Sequence, residues 1–406
     1  MEKNGRNRTI VLVISMAMMF FMALASNMYG TNITSIRSTF GLAVSATSAF
    51  TVAANICSIG VMLFIMFYGD RLNKGVSLGV MSIFYGATMA VLGYLPSFAL
   101  FFIIFTLVGV GVTYIDSMDV AYVSDLFGER RSGGVGALHS VYAVGCIISP
   151  LFAAWMLLRT GSFAPSYRIT GIIMIVVGIA LTLANRGAVT EKKAEAVGKK
   201  MRTPVPWKQI FTNRRIMFLV GACFFNAGSY YAFTMLTDYL SGGNGGMTTY
   251  SITICSTILT CFNIGMFFSR TIYSALGYKL NAVGICTWTS FAMAALALAT
   301  LFCGIPVLSM ICFAFAGLLG GANYTIRMVL CANEFPENSA TIIGFVTVAQ
   351  SIGSMLFYTL FGFIADGNYG LAMILSCLCY AIPGILIILG YGKQTLGFVR
   401  RFSDRN

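Results

Sequence analysis

Charged side chains are scarce in this chain, and acidic ones are the scarcest. Lys, Arg, Asp and Glu make up 10% of the 406 residues, with 13 acidic against 26 basic residues, whereas a soluble domain carries about 25%. Such a composition excludes an ordinary soluble enzyme and a disordered chain. It also excludes a nucleic-acid-binding protein, because the basic residues stand in short segments between long apolar runs and do not build one basic face.

Motifs of enzyme and metal chemistry are lacking as well. The only histidine is His139 and no HExxH pattern occurs, which leaves little acid–base machinery for catalysis. A GxxxxGK[ST] loop, which would bind ATP, is also missing. The eleven cysteines are scattered through the apolar runs without a zinc-binding or redox spacing. We therefore expect a protein that is not an enzyme, that uses no metal and no cofactor, and whose cysteines are small buried side chains.

What the chain has in abundance is long apolar runs. Hydrophobic residues make up 58% of it, and a bilayer core about 30 Å thick requires roughly 20 apolar residues for each spanning helix. Apolar character continues past Ala23-Leu24-Ala25, which resembles a cleavage site, so the first run is kept as a span and not as a signal peptide. The sequence therefore predicts an all-α membrane protein with 12 transmembrane helices. The predicted spans are residues 9–30, 44–68, 76–95, 98–124, 134–158, 168–186, 214–239, 248–270, 281–302, 305–331, 339–364 and 369–391.

The distribution of basic residues predicts the orientation. With both termini in the cytoplasm, 21 Lys and Arg residues lie on the inside and three lie outside, namely Arg37, Arg159 and Arg168. Because cytoplasmic loops carry the excess of Lys and Arg, both termini are expected inside, in an inner (plasma) membrane. The longest polar segment, residues 187–213, is predicted to be a cytoplasmic basic linker between two six-helix halves, residues 1–186 and 214–406.

The two halves also resemble each other at an offset of 208 residues. At this offset the segment Phe127-Gly-Glu129 aligns with Phe335-Pro-Glu337. Three glycines and an asparagine fall in the same register, pairing Gly109 with Gly317, Gly136 with Gly344, Gly145 with Gly353 and Asn55 with Asn263. This predicts two pseudo-symmetric halves from an internal duplication, an arrangement in which transporters place their site at the repeat interface.

Twelve spans, a central basic linker and two similar halves resemble the major facilitator superfamily. The loop Asp70-Arg71-Leu72-Asn73-Lys74 is similar to the superfamily motif G-x-x-x-D-R-x-G-R-R, which implies a gating role for Asp70, Arg71 and Lys74. Asp70 is expected to complement a helix N-terminus and to hold the inner side shut; a simple turn beside Arg71 is the alternative. The stretch from Gly109-Val-Gly111 through Leu138-His139 to Pro150 resembles the branch that contains sugar–proton symporters.

Four ionisable residues inside the predicted spans are the main functional candidates, because each costs several kcal/mol unless it is paired or hydrated. They are Asp116 and Asp119 in the fourth span, His139 in the fifth and Arg327 in the tenth. Two carboxylates one helical turn apart repel each other, so one of them is a candidate proton carrier. His139 is a candidate relay, and Arg327 could bind an anionic or hydroxyl-rich solute. At the offset of 208, Asp119 corresponds to Arg327, so the two are expected to face one cavity from opposite walls; a static polar network is the alternative.

Uncharged polar residues near mid-membrane complete the predicted substrate- and proton-binding set. They are Asn226, Tyr230, Asn323 and Tyr324. Amides and phenols suit the hydroxyls or carboxylates of a small solute, although they also suit helix–helix hydrogen bonds. Asp238, near the outer end of the seventh span, is expected to be solvated.

Together these features predict a secondary active transporter. It would move a small polar organic solute (a sugar, polyol or carboxylate) by alternating access, coupled to proton symport, and would work as a monomer with the solute, protons and the bilayer as its partners. The alternative is a proton- or solute-coupled efflux antiporter for drugs or organic anions. Gly136, Gly145 and Ser149-Pro150 fall at the spacing of an antiporter motif, but Phe105 stands where such antiporters usually carry an arginine.

Overall fold

The computed structural model describes residues 2–68, 72–95, 97–127, 131–186, 207–242, 249–276, 280–334 and 339–397. Across these residues the chain is built of α-helices, and twelve segments are long and apolar enough to cross a membrane. The predicted number of spans is therefore confirmed. The helices are α1 (Glu2–Phe40), α2 (Val44–Tyr68), α3 (Lys74–Leu92), α4 (Phe98–Phe127), α5 (Arg131–Thr160), α6 (Ala164–Arg186), α7 (Trp207–Thr212), α8 (Arg214–Leu240), α9 (Ile252–Leu276), α10 (Ala282–Phe302), α11 (Pro306–Gly320), α12 (Asn323–Glu334), α13 (Ser339–Gly367), α14 (Tyr369–Leu378) and α15 (Ile382–Tyr391).

The helix bounds differ from the predicted spans at a few places. The first span continues to Phe40, so Arg37 lies in the last turn of α1, where it is buried, and not in a loop. The tenth and twelfth spans are each divided into two helices, α11 with α12 and α14 with α15. The short helix α7 lies inside the predicted linker, whose residues 187–206 are outside the described part of the chain.

Asparagine side chains start several of the helices. Asn73 accepts a hydrogen bond from Val76 N at 3.2 Å at the start of α3, and Asn281 accepts one from Gly284 N at 3.3 Å at the start of α10. Such caps satisfy backbone N–H groups that have no partner inside the helix. Because Asn73 and Asn281 are 208 residues apart, the third and ninth spans begin with the same device at the repeat offset.

By their internal contacts the helices form two compact units. The first contains Met1–Gly41 and Ala53–Arg202, and the second contains Leu42–Val52 and Thr203–Asn406. In the first unit α1 packs on α5 and α6, and α3 packs on α4 and α6. In the second unit α8 packs on α13 and α15, and α10 packs on α11 and α15. The packing partners therefore recur in the order expected for two six-helix repeats.

A close helix–helix contact recurs in both units at the same offset. In the first unit a Cβ on Gly109 would lie 3.0 Å from Cβ of Ala54 on α2. In the second unit a Cβ on Gly317 would clash with the backbone carbonyl oxygen of Phe262 on α9, an even closer approach. Ala54 and Phe262 are also 208 residues apart. The two contacts are therefore equivalent: a glycine in the fourth span lets the second span pack closely, and a glycine in the tenth span does the same for the eighth.

Candidate functional site

Asp119 is a fully buried carboxylate, the most deeply buried among those of the first unit whose side chains the structure describes. Its side chain lies on α4 with 0% exposure, and neither oxygen makes a hydrogen bond of normal geometry to a described residue. The hydroxyl of Ser15 on α1 faces it, and it likewise has no hydrogen bond of normal geometry to a described residue. Since an unpaired carboxylate is costly in such surroundings and a protonated carboxyl is less so, this position is suited to a group that takes up and releases a proton.

A second polar group stands beside Asp119 and joins α4 to α6. The hydroxyl of Tyr122 donates to Oδ1 of Asn185, whose Nδ2 donates to the carbonyl of Leu181 at 2.8 Å. Tyr122 also interacts electrostatically with Asp119. The sequence interpretation missed Tyr122 and Asn185, because tyrosine and asparagine inside a span carry no signal of their own.

The other two ionisable candidates of the first unit have different surroundings. Asp116, one turn before Asp119, is exposed, and it acts on Asp119 electrostatically. His139 on α5 is exposed as well. The sequence could not tell which of Asp116 and Asp119 carries the proton, but the structure shows that the two differ in burial.

Arg327 is the corresponding buried charge of the second unit. It lies on α12 with 1% exposure, and its Nε and Nη1 atoms have no hydrogen-bond partner among the described residues. The groups that act on it are the thiols of Cys223 and Cys286 and the hydroxyl of Tyr230. No carboxylate in the described part of the chain forms an ion pair with it. The guanidinium of Arg327 therefore has hydrogen-bond donors without acceptors, and no counterion among the described residues.

Tyr230 on α8 connects Arg327 to two further polar side chains. It is 36% exposed and interacts electrostatically with Arg327 and Arg270, while its hydroxyl faces Gln350 on α13. The side-chain oxygen of Gln350 is buried without a hydrogen bond to a described residue. Gln350 was not predicted from the sequence, since a single glutamine in an apolar run has no distinctive spacing.

Arg327 lies in the second turn of α12, just after the break that divides the tenth span. The carbonyl of Gly321 accepts a hydrogen bond from Nε of Arg270 at 3.3 Å, and Oγ of Ser269 accepts one from Ala322 N at 3.0 Å. Interrupted backbone at membrane depth requires such replacement partners. Neighbouring residues of α9 thus stabilise the start of α12, which carries Arg327.

The remaining predicted residues of the second unit are engaged to different degrees. Oδ1 of Asn323 accepts from Oγ1 of Thr289 at 2.8 Å, and its Nδ2 donates to Oγ of Ser290 at 3.4 Å. The amide of Asn323 therefore ties α12 to α10. Asn226 is buried on α8, and Tyr324 packs partly buried against the apolar core of this unit.

Among the predicted gating residues, only Lys74 is described. It is the first residue of α3, directly after the cap Asn73. Asp70 and Arg71 lie outside the described residues. Asp238, expected to be solvated, is instead fully buried, and Oδ2 accepts a hydrogen bond from the hydroxyl of Tyr369 at 2.9 Å; the expectation was wrong because α14 covers it.

One segment matches a hydrolase pattern that the fold does not support. Gly75-Val-Ser77-Leu-Gly79 reads GxSxG, but Ser77 lies in the first turns of α3, and its hydroxyl donates to the carbonyl of Lys74 at 3.1 Å. A nucleophile of this kind needs a sharp turn between a strand and a helix. Gly75 and Gly79 instead give α3 close contact with Asn185 and Thr182 of α6.

The cysteines form neither disulfides nor a metal site among the described residues. All eleven cysteines are free thiols, and seven of them are buried. Within the described part of the chain no group of three His, Cys, Asp or Glu side chains is arranged to hold a metal ion.

A protein-family model matches most of the chain. The family model that matches residues 15–358 is that of the Major Facilitator Superfamily. A comparison with curated protein sequences finds no match. Among solved structures, the chain is similar to a bacterial homologue of the human lysosomal transporter Spinster in an inward-facing, occupied conformation, with a TM-score of 0.71, 13% identity and coverage of 94% of this chain and 96% of that one.

Two sugar–proton symporters are also similar in structure. The D-xylose–proton symporter has a TM-score of 0.71 at 14% identity, over 97% of this chain and 98% of that one. The Escherichia coli fucose:proton symporter FucP has a TM-score of 0.62 at 16% identity, over 95% and 99%. At these identities the likeness is one of fold.

Proposed function

Because the chain belongs to the Major Facilitator Superfamily, we propose that it carries a small polar organic solute (a sugar, polyol or carboxylate) across a membrane by alternating access, together with protons. The observation that carries the proposal is the state of Asp119. It is a fully buried carboxylate in the fourth membrane span, and neither oxygen has a hydrogen-bond partner among the described residues. A structural aspartate in a span is expected to be paired, so this one is suited to alternate between protonated and ionised forms.

The surroundings of Asp119 support a carrier role. The hydroxyl of Ser15 faces it, Tyr122 acts on it electrostatically, and the exposed Asp116 lies one turn away on the same helix. A proton can therefore pass between the exposed and the buried carboxyl over one helical turn. The names of two similar structures, the xylose–proton and fucose:proton symporters, are consistent with such coupling.

The proposed setting follows the basic-residue distribution. Both termini and the linker 187–213 would lie in the cytoplasm, the halves 1–186 and 214–406 would form the two repeats, and the plasma membrane would be the site of action. Asp70, Arg71 and Lys74 would then gate the cytoplasmic side. His139 would relay protons.

The first experiment records the external pH of weakly buffered, de-energised cells that express the protein. Sugars, polyols, carboxylates and amino acids are added as pulses, with cells that lack the protein as the control. Alkalinisation by one solute, absent from the control, is the expected result and identifies both substrate and symport. Acidification on loading would contradict symport and support the efflux antiporter.

A further inference from the structure

We propose that the solute is a hydroxycarboxylate, whose carboxylate binds Arg327 and Tyr230 and whose hydroxyl donates to Gln350. This assignment rests on the proposed transport function and names the substrate class of that site. All three residues belong to the second unit, where they come from α12, α8 and α13.

The negative charge is required by the state of Arg327. The apolar core cluster of the second unit includes Ile326 and Met328, on either side of it in the sequence, and the neighbouring thiols of Cys223 and Cys286. A cation without a counterion in such surroundings is unfavourable, and no described carboxylate pairs with it. A carboxylate fits the planar fork of guanidinium donors, and a neutral sugar or polyol would leave the charge uncompensated.

The hydroxyl group is required by the state of Gln350. Its buried side-chain oxygen is an acceptor without a partner among the described residues, and it lies next to the hydroxyl of Tyr230, which in turn acts on Arg327. A carboxylate cannot donate to this oxygen, so the solute needs a donor close to its carboxylate. A hydroxyl group on a neighbouring carbon meets that need.

An ammonium donor is disfavoured at the same place. Tyr230 interacts with two guanidinium groups, those of Arg327 and Arg270. Arg270 is held there by its hydrogen bond to the carbonyl of Gly321. A second positive charge on the solute would be repelled by both, so an amino acid suits the site less well than the matching hydroxy acid.

Tyr230 gives the solute its access. The side chain is 36% exposed even though its polar neighbours come from α9, α12 and α13. A side chain that is partly exposed and also acts on the buried Arg327 is the proposed point of entry for the solute.

The test uses the purified full-length protein with matched probes that differ in one group. Lactate, propionate and alanine share a three-carbon acid but carry a hydroxyl, no donor or an ammonium, and gluconate and glucose differ in the carboxylate. Thermal stabilisation in detergent reports binding, and uptake into proteoliposomes reports transport. The expected result is binding of lactate or gluconate, at least about tenfold weaker binding of propionate and alanine, and no binding of glucose.

Three variants at two positions localise the effect. Arg327→Gln should abolish binding of the hydroxycarboxylate, while Arg327→Lys should retain part of it. Tyr230→Phe removes only a hydroxyl, and it should weaken binding by about tenfold even if Arg327→Gln does not fold. Arg168→Gln in the first unit, where Arg168 donates to the carbonyl of Gly93 at 2.9 Å, is the control and should bind like the wild type.

The outcomes separate this inference from the proposed function. Proton-coupled uptake of glucose or a polyol, without binding of lactate or gluconate, would overturn the substrate class and leave the transporter proposal intact. Binding of lactate or gluconate that is unchanged in Arg327→Gln and Tyr230→Phe would overturn the site. Binding of lactate or gluconate with no uptake and no exchange would uphold the site and count against transport. If none of the probes binds, the hydroxycarboxylate assignment is overturned.

Discussion

The carboxylate of Asp366, at the end of α13, accepts a hydrogen bond from the backbone N–H of Ser45 in the first turn of α2, with an N···O distance of 3.1 Å. Residues 44–52 of α2, about two and a half turns, belong to the second unit, whereas the helix continues into the first. Gly362, one turn before Asp366, allows Ser48 to approach closely. A carboxylate at a helix N-terminus contributes about 0.3–1 kcal/mol, so Asp366 stabilises the position of this end of α2.

The contact predicts that Asp366→Ala loosens the start of α2. The N–H of Ser45 loses its acceptor, and amide hydrogen exchange in residues 44–48 should become several-fold faster because an opening free energy of up to about 1 kcal/mol is lost. Exchange mass spectrometry of that peptide checks it. Asn368→Ala is the matched control, since Asn368 caps Leu371 N at 2.9 Å instead. Equal exchange at α2 in the wild type and Asp366→Ala would show that the bond contributes nothing.

Asp119 is predicted to be required for coupling to protons. Asp119→Asn keeps the size of the side chain and removes its titration, so accumulation driven by an imposed pH gradient should disappear while exchange of labelled for unlabelled solute continues. Proteoliposome uptake measures both. Asp238→Asn is the control: Asp238 is also buried in a span, but it already accepts from Tyr369, and its substitution should leave coupling intact. Wild-type accumulation by Asp119→Asn would refute the carrier role.

The charge of the proposed solute predicts how uptake responds to voltage. One proton carried by Asp119 with one monovalent hydroxycarboxylate moves no net charge. Uptake driven by a pH gradient should therefore be insensitive to a potassium diffusion potential set with valinomycin. A neutral solute with one proton would instead be driven by about 2.3 kcal/mol for every 100 mV. A strong voltage response would argue for a neutral substrate.

The repeat register predicts energetic coupling between Asp119 and Arg327, which occupy equivalent positions. Their position on one cavity stays a prediction. No described carboxylate pairs with Arg327 in this structure; if Asp119 and Arg327 come to face each other at another stage of transport, Arg327→Ala should be rescued in part by Asp119→Ala, because the two charges would compensate each other there. Thermal unfolding of the four proteins in a double-mutant cycle measures the coupling, with about 0.5–3 kcal/mol expected for interacting residues. Strict additivity would place them in separate environments.

A close packing contact in the second unit predicts a stability difference between two glycine substitutions. Gly317→Ala would press a methyl group on the backbone of Phe262 and should destabilise the protein by about 1–3 kcal/mol. Gly344→Ala meets open space on α13 and should be neutral or stabilising by about 0.5–1 kcal/mol, since alanine favours a helix over glycine. Thermal unfolding compares them, and an equal loss in both would contradict the packing.

The sequence by itself determined the number of spans, most of their bounds and the repeat register. The second span was predicted as residues 44–68, and α2 runs over the same residues. This succeeds because the bilayer allows only a helix of apolar residues to cross it, a constraint that acts locally along the chain. The offset that pairs Gly109 with Gly317 was likewise present in the sequence, whereas their neighbours Ala54 and Phe262 came only from the structure.

Only the tertiary structure decided which polar groups have partners. Asp119 and Asp238 look alike in the sequence, yet Asp238 is bonded to Tyr369, 131 residues away, and Asp119 has no partner among the described residues. The amide of Asn323 was predicted to line a cavity and is bonded to Thr289 and Ser290. Such pairings depend on which helices touch and on how each is rotated. A span's hydropathy does not contain that information, because many rotations bury the same apolar residues but bring different polar groups together.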